Sequence, residues 1–146
     1  MPTRLKTFLR AVTVTLLTGI CGVAAAHHSF SAQYDAKAPI KVVGYVTKVE
    51  WTNPHVYIYI DVTDEASGEV SNWGFEMGPP HMLQRTGWKR NTLNIGDEIE
   101  IEGSRARDGS NTANARRVTR SDGEVLGAAS SEQQTLGSRT GTNNGR

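Results

Sequence analysis

The chain has 146 residues and carries 16 Lys and Arg against 15 Asp and Glu, with four His and one Cys. Such an even balance excludes a polycation that binds nucleic acid through its charge. One cysteine cannot form a disulfide framework, so a hydrophobic core must stabilise the fold unaided.

The N-terminus has the pattern of a secretory signal. Residues 1–10 contain three basic residues and no acid, residues 11–25 are mostly apolar, and Ala24 to Ala26 are small, as a signal peptidase requires. We therefore predict a signal over residues 1–26 and a periplasmic or secreted protein. The apolar stretch has about 15 residues, short of the roughly 20 that cross a bilayer, so we expect no stable membrane span after cleavage.

Cleavage would also change the charge and the cysteine content. Removing the three basic residues of the signal takes Lys and Arg from 16 to 13 against 15 acids. The only cysteine, Cys21, lies inside the signal. The mature chain is therefore expected to be slightly acidic and free of cysteine.

The mature chain begins with an arm and a bent strand. Residues 27–39 have no sustained period and are predicted to form an arm, with Phe30 and Tyr34 as its candidate anchors. Residues 41–51 follow as a strand with apolar groups on both faces, and Gly44 indicates a bulge or a sharp bend there.

Two further strands and a helix follow. In residues 56–62 four aliphatic side chains alternate with polar ones, which is the period of a half-buried strand. Residues 69–77 alternate in the same way after a polar turn at residues 64–68. Two prolines end that strand, and residues 81–87 are predicted to form one short helix, with proline in its first turn and glycine at its end.

The C-terminal part supplies two more strands and a tail. Residues 98–103 alternate Ile and Glu, and residues 112–120 return as a more polar strand after an Asp-Gly turn. Residues 124–126 are predicted to be a closing stub. Residues 127–146 contain one Leu among mostly small and polar residues, so they are predicted to be a disordered tail.

This order of elements predicts the fold. Three strands, a short helix and two strands are the order of a five-stranded Greek-key barrel of the oligonucleotide/oligosaccharide-binding (OB) type. We therefore predict an all-β, OB-like barrel over residues 40–126, with one short helix between strands three and four. A barrel of this size is filled by side chains, and the predicted core consists of Val43, Val49, Val56, Ile58, Ile60, Trp73, Phe75, Leu83, Ile99 and Ile101.

Five stretches of the mature chain resemble a known family. They lie at residues 26–30, 49–55, 73–76, 87–88 and 108–116 and read AHHSF, VEWTNPH, WGFE, GW and DGSNTANAR. On these stretches the chain resembles a family of secreted bacterial proteins of unknown function, DUF6152. The resemblance implies an exported small β-barrel, and it carries over no catalytic residue.

The N-terminus left by processing is a candidate metal site. Cleavage after Ala26 would place His27 first, where its amine and ring nitrogen can chelate one ion as in a copper histidine brace. Amine and imidazole nitrogens suit Cu(II), and deprotonating the amine costs little at neutral pH. Copper is therefore the candidate cofactor.

Three other histidines are candidates for completing that site. His55 ranks first because Asn53-Pro54 fixes the bend before it and a strand follows it. His28 and His81 are the alternatives. The plainer interpretation is a polar N-terminus left by processing, with His55 capping a turn.

Aromatic residues form a second candidate site. Tyr57 and Tyr59 lie on the non-core face of the second strand, and Trp51 and Trp88 are expected near them. Barrels of this class bind extended polymers across such a face by stacking. The plainer interpretation is that the tyrosines are ordinary exposed strand residues and that Trp88 closes the end of the barrel.

No motif predicts an enzyme. The chain contains no Gly-x-Ser-x-Gly, phosphate-binding glycine loop, His-Glu-x-x-His or paired-cysteine motif, so we assign no catalytic residue. We predict an exported binding or accessory module, in its sharpest form binding Cu(II) through the processed N-terminal His. The alternatives are an oligosaccharide or peptide binder that uses the aromatic strand face, and an envelope assembly subunit. The expected partner is thus a glycan or an envelope protein, not nucleic acid.

Overall fold

The computed structural model describes residues 30–128. The predicted signal, His27, His28 and the tail beyond Ala128 lie outside these residues. Residues 30–32 belong to one compact unit and are helical, and the rest of the described chain belongs to another. The elements of this second unit are strands β1 (Tyr34–Glu50), β2 (Tyr57–Thr63), β3 (Val70–Glu76), β4 (Glu98–Ala106), β5 (Thr112–Arg120) and β6 (Val125–Gly127), and helix α1 (Pro80–Arg85).

Five of these strands close a ring. Strand β1 pairs antiparallel with β2 and β4, β2 pairs with β3, and β4 pairs with β5. A parallel pairing of β3 with β5 closes the circle, and β6 extends the sheet from β5. The predicted all-β class is confirmed, and so is the single short helix between the third and fourth strands.

Strand β1 changes its inward face part-way along. Before residue 47 the inward residues include Val46, which is 1% exposed, and Val42, which packs against the core. A register shift between Val46 and Lys48 then inserts one residue, so that Val49 packs against the core instead. The prediction of Val43 as a core residue is wrong, because it precedes the shift and is 50% exposed.

Gly44 marks a close approach between strands and lies three residues before the bulge. A Cβ added at Gly44 would lie 2.5 Å from the carbonyl oxygen of Asp61 on β2. No side chain fits that gap without moving the backbone of β2. The glycine therefore allows the first two strands to curve tightly around the core.

The interior of the ring is apolar. Of the ten predicted core residues, Val43 lies outside, Val49 is partly buried and the other eight are buried. Helix α1 covers the core with Leu83, its one buried residue. Buried residues that the core prediction did not include are Val46, Trp51, Met77, Trp88, Leu93, Ala113, Ala115, Val118, Leu126 and Ala128.

Both ends of the sheet differ slightly from the sequence-based boundaries. Strand β1 begins at Tyr34, inside the segment interpreted as an arm, and β6 continues to Gly127, where the tail was expected to begin. Among residues 30–128, no helix is long and apolar enough to cross a membrane.

Candidate functional site

The candidate site lies on the outer face of the ring, where β2 pairs with β3. Ile58 and Phe75 are paired across these strands and are fully buried in the core. Successive side chains of a strand point to opposite faces. The next pair along the two strands, Tyr57 and Glu76, therefore points outward.

Glu76 is an outward-facing carboxylate that is nevertheless buried. It is 8% exposed. Its Oε2 accepts hydrogen bonds from the Tyr34 hydroxyl at 2.7 Å and from the Tyr57 hydroxyl at 3.0 Å. Its Oε1 lies 2.7 Å from Nδ1 of His55. Two tyrosine hydroxyls and the His55 ring, from three parts of the chain, thus compensate the desolvation of this carboxylate and fix its orientation.

Both tyrosines are held in their protonated form. Burial, followed by the hydrogen bond to Glu76, raises the pKa of Tyr34 far above its ordinary value. Burial and the charge of Glu76 raise the pKa of Tyr57 to about 12. Near neutral pH both hydroxyls are therefore donors to the carboxylate.

His55 is held by its backbone on one side and by Glu76 on the other. It follows a cis Asn53-Pro54 bond and precedes Val56, whose N–H and carbonyl bond to Gly78 at 3.3 Å and to Met77 at 2.8 Å. Because an ionised carboxylate can only accept, this contact favours the His55 tautomer that carries its proton on Nδ1. Nε2 lies on the opposite side of the ring, and the side chain is 39% exposed.

Two more buried polar residues continue the row of Tyr57 and Glu76 across the sheet. Asn114 on β5 is paired with Glu76 in the parallel ladder, and Ser104 on β4 is paired with Asn114. Asn114 is 4% exposed and Ser104 is 2% exposed. The Oδ1 atom of Asn114 has no hydrogen-bond partner among the described residues. The outer face here is therefore buried and polar, and one of its acceptors is unsatisfied.

The structure describes two of the four predicted metal ligands. His55 belongs to the site just described, whereas His81 is exposed on helix α1. His27 and His28 fall outside the described chain. Within residues 30–128, no three His, Cys, Asp or Glu side chains lie close enough together to hold a metal ion.

The predicted aromatic residues also separate into two groups. Trp51 and Trp88 are buried in the core at 8% and 3% exposure, and the indole N–H of Trp88 donates to the carbonyl of Gly127 at 2.8 Å. Tyr57 and Tyr59 stack side by side, with ring centroids 6.4 Å apart. The partly exposed aromatic surface therefore consists of the two tyrosines.

Tyr59 is constrained by its own neighbours. Its hydroxyl donates to Glu50 at 3.1 Å, and the Lys48 ammonium lies 5.2 Å from the ring centroid. Burial and Glu50 raise its pKa. The ring also lies against Gly74 on β3, where an added Cβ would be 3.3 Å from it. The tyrosine pair is thus a pre-formed surface whose polar ends are already bonded.

Comparison with known proteins places the chain in a family. The model of a family of unknown function, DUF6152, matches residues 15–115. The chain belongs to this family. The DUF6152 match covers every residue of the site, from Tyr34 to Asn114. Among curated proteins, none matches the chain.

Sequence reasoning missed three residues of this DUF6152 site: Tyr34, Glu76 and Asn114. A signal for one of them was present. The alternation in residues 56–62 and 69–77 places Tyr57 and Glu76 on the non-core face of two consecutive strands, so these two polar residues share one face of the predicted hairpin. Nothing comparable connects the arm or the fifth strand to Glu76, because those contacts depend on how the ring closes.

Proposed function

We propose that the protein is an exported, non-enzymatic binding module that binds Cu(II) through the processed His27 and His55. The observation that carries this proposal is the 2.7 Å contact between Nδ1 of His55 and Glu76. Metal-binding histidines usually donate their other ring N–H to a carboxylate, which fixes the tautomer and makes the ligand nitrogen more basic. The contact prepares Nε2 of His55 as a ligand.

The two tyrosine hydroxyls that bond Glu76 also support a copper site. A carboxylate that orients a ligand must itself be held, and the hydroxyls of Tyr34 and Tyr57 bond its other oxygen at 2.7 and 3.0 Å. Burial of the carboxylate also shields this network from competing water. The partial exposure of His55 leaves its ring accessible to an ion.

The remaining ligands come from the predicted processing site. A chain that starts at His27 supplies an amine and an imidazole, and together with His55 this makes three nitrogens. Copper leads the divalent metals in affinity for such donors. Export, with a periplasmic or secreted location, is part of the proposal because it creates the free amine.

Titration with Cu(II) tests this function. The protein is produced by export, shown by mass spectrometry to start at His27, and titrated by calorimetry and electron paramagnetic resonance. We expect one equivalent to bind with nitrogen hyperfine structure. Glu76→Gln should weaken binding by about 10–100-fold, as loss of an outer partner of a ligand does.

Two controls make the test specific. His81→Gln alters an exposed histidine on α1 and should leave affinity unchanged, whereas His55→Gln should remove the three-nitrogen signal. One extra alanine before His27 displaces the amine and should also abolish the three-nitrogen signal. Equal binding by the extended protein would reject the N-terminal chelate, and equal binding by the His55 variant would move the site to His28 or His81.

A second candidate function is recognition of an oligosaccharide or a peptide, and the stacked Tyr57 and Tyr59 rings favour it. Stacking tolerates many ligands and suits an extended chain. Glycan and peptide arrays probed with the wild type and with a Tyr57→Ala, Tyr59→Ala double variant test this. Binding that survives the double substitution would count against it. Co-purification of an envelope protein would instead support the role of an assembly subunit.

A further inference from the structure

Asn114 is a polar residue that is buried on the outer face of β5. Its Oδ1 atom has no hydrogen bond among residues 30–128, although the residue is 4% exposed. Leaving a buried acceptor unpaired destabilises the fold relative to pairing it. An apolar residue of similar size would avoid that cost. The amide oxygen therefore indicates a group that is bound here and donates to it.

The neighbour of Asn114 defines the chemistry of that group. The parallel register places Asn114 beside Glu76 on the same outward face. Neighbouring strands lie about 4.8 Å apart. A ligand nitrogen between the two side chains can therefore lie about 2.9 Å from an oxygen of Glu76 and from Oδ1 of Asn114, and donate to both. Two acceptors, one of them anionic, select a donor with several N–H groups and repel an anion.

The charges around Glu76 also favour a cationic ligand. Within residues 30–128 no lysine or arginine forms an ion pair with Glu76, and His55 is its one basic contact. A buried carboxylate is stabilised by a nearby cation. A metal ion fits less well, since hard cations require six or more oxygen ligands or waters, and the oxygens of Glu76 already accept two hydrogen bonds and contact His55.

From these observations we infer that Glu76 and Asn114 form a subsite for a primary ammonium group, which donates to both side chains. The subsite is distinct from Nε2 of His55, and it requires no metal. Two sources supply this chemistry: a free alkylamine ligand, and the α-amine of His27 in the processed chain.

The experiment uses the metal-free processed protein in the presence of a chelator, so a failed copper titration does not affect it. Propylammonium chloride is added to protein whose N-terminus is free and to protein whose N-terminus is acetylated. Binding is followed through the side-chain carboxyl ¹³C resonance of Glu76. Tetramethylammonium, which has the charge and no N–H donor, is the ligand control.

Whichever amine is the natural occupant, the Glu76 carboxyl resonance of the acetylated protein should shift saturably with propylammonium and should not shift with tetramethylammonium. If the α-amine is the natural occupant, the free N-terminus should compete and weaken propylammonium binding. If a separate amine is the natural ligand, the two preparations should bind equally. Equal shifts with both ammonium ions, or no saturable shift, would overturn the subsite and leave a buried water as the partner of Asn114.

Asn114→Leu provides a matched variant. It removes the acceptor and keeps the branching and the number of heavy atoms, and it should bind propylammonium about tenfold more weakly, the effect of one hydrogen bond to a charged donor. Asn111→Leu, an exposed loop change, should leave binding unchanged. Unaltered affinity in Asn114→Leu would contradict the assignment. The tetramethylammonium control decides the question independently if that variant does not fold.

Discussion

Glu76 and Glu100 both occupy outward positions on the ring, and their surroundings differ completely. Glu76 is 8% exposed and contacts Tyr34, Tyr57 and His55. Glu100 pairs with Lys41 at 2.9 Å, and the side chain of Lys41 is 60% exposed. The same strand alternation thus produces a pre-organised buried carboxylate at one place and a solvated ion pair at another.

This difference indicates which of the two regions is the better candidate for a functional site. A solvated pair gains little because water and salt compete with it. A buried carboxylate must be fully bonded, so its partners are fixed in position before any ligand arrives. Within residues 30–128, only the region around Glu76 combines fixed geometry with a partly exposed imidazole.

The largest effect should come from removing the buried carboxylate. Glu76→Ala leaves the buried Tyr34 hydroxyl and its neighbours without their acceptor, so we expect a loss of about 2–4 kcal/mol in the free energy of unfolding. Urea denaturation measures it. Glu100→Ala is the matched control and should leave the midpoint almost unchanged. Equal losses in the two variants would erase the distinction between the regions.

A smaller loss of unfolding free energy should follow from removing one of the hydroxyls that donate to Glu76. Tyr34→Phe deletes the hydroxyl that bonds Glu76 at 2.7 Å and should cost about 1–2 kcal/mol. Tyr45→Phe makes the same chemical change at a residue that is 53% exposed and should have little effect. If thermal and urea unfolding place both variants at the wild-type value, the bond to Glu76 does not stabilise the fold.

The smallest effect should appear at alkaline pH. Folding raises the pKa of Tyr57 from 10.0 to about 12, so the neutral phenol is favoured in the folded state. The contribution of the neutral Tyr57 phenol to the free energy of unfolding is complete below pH 10 and is lost as the pH rises towards 12. Stability measured across that range should fall less steeply in Tyr57→Phe than in the wild type. Identical slopes would show that Tyr57 ionises as in the unfolded chain.

Much of the fold could be predicted because it depends on local patterns. Alternation located the strands, and Gly78 with two prolines marked the end of β3 and the start of α1. The error at Val43 arose because a bulge shifts the inward face without any change in composition. The tryptophans show the same limit, since Trp51 and Trp88 could be assigned to a surface or to the core only once the ring was closed.

By itself, the sequence determined the all-β class, the order of strands and helix, the membership of DUF6152 and the choice of His55 as the histidine to examine. These follow from side-chain periodicity, turn residues and motifs, which are properties of short segments. Only the tertiary structure decided that His55 contacts Glu76, that Tyr34 reaches the same carboxylate from 42 residues away, and that Asn114 lies beside it with an Oδ1 atom that has no hydrogen bond among residues 30–128. The physical reason is that strand register and ring closure, which no single segment specifies, bring these side chains to one face.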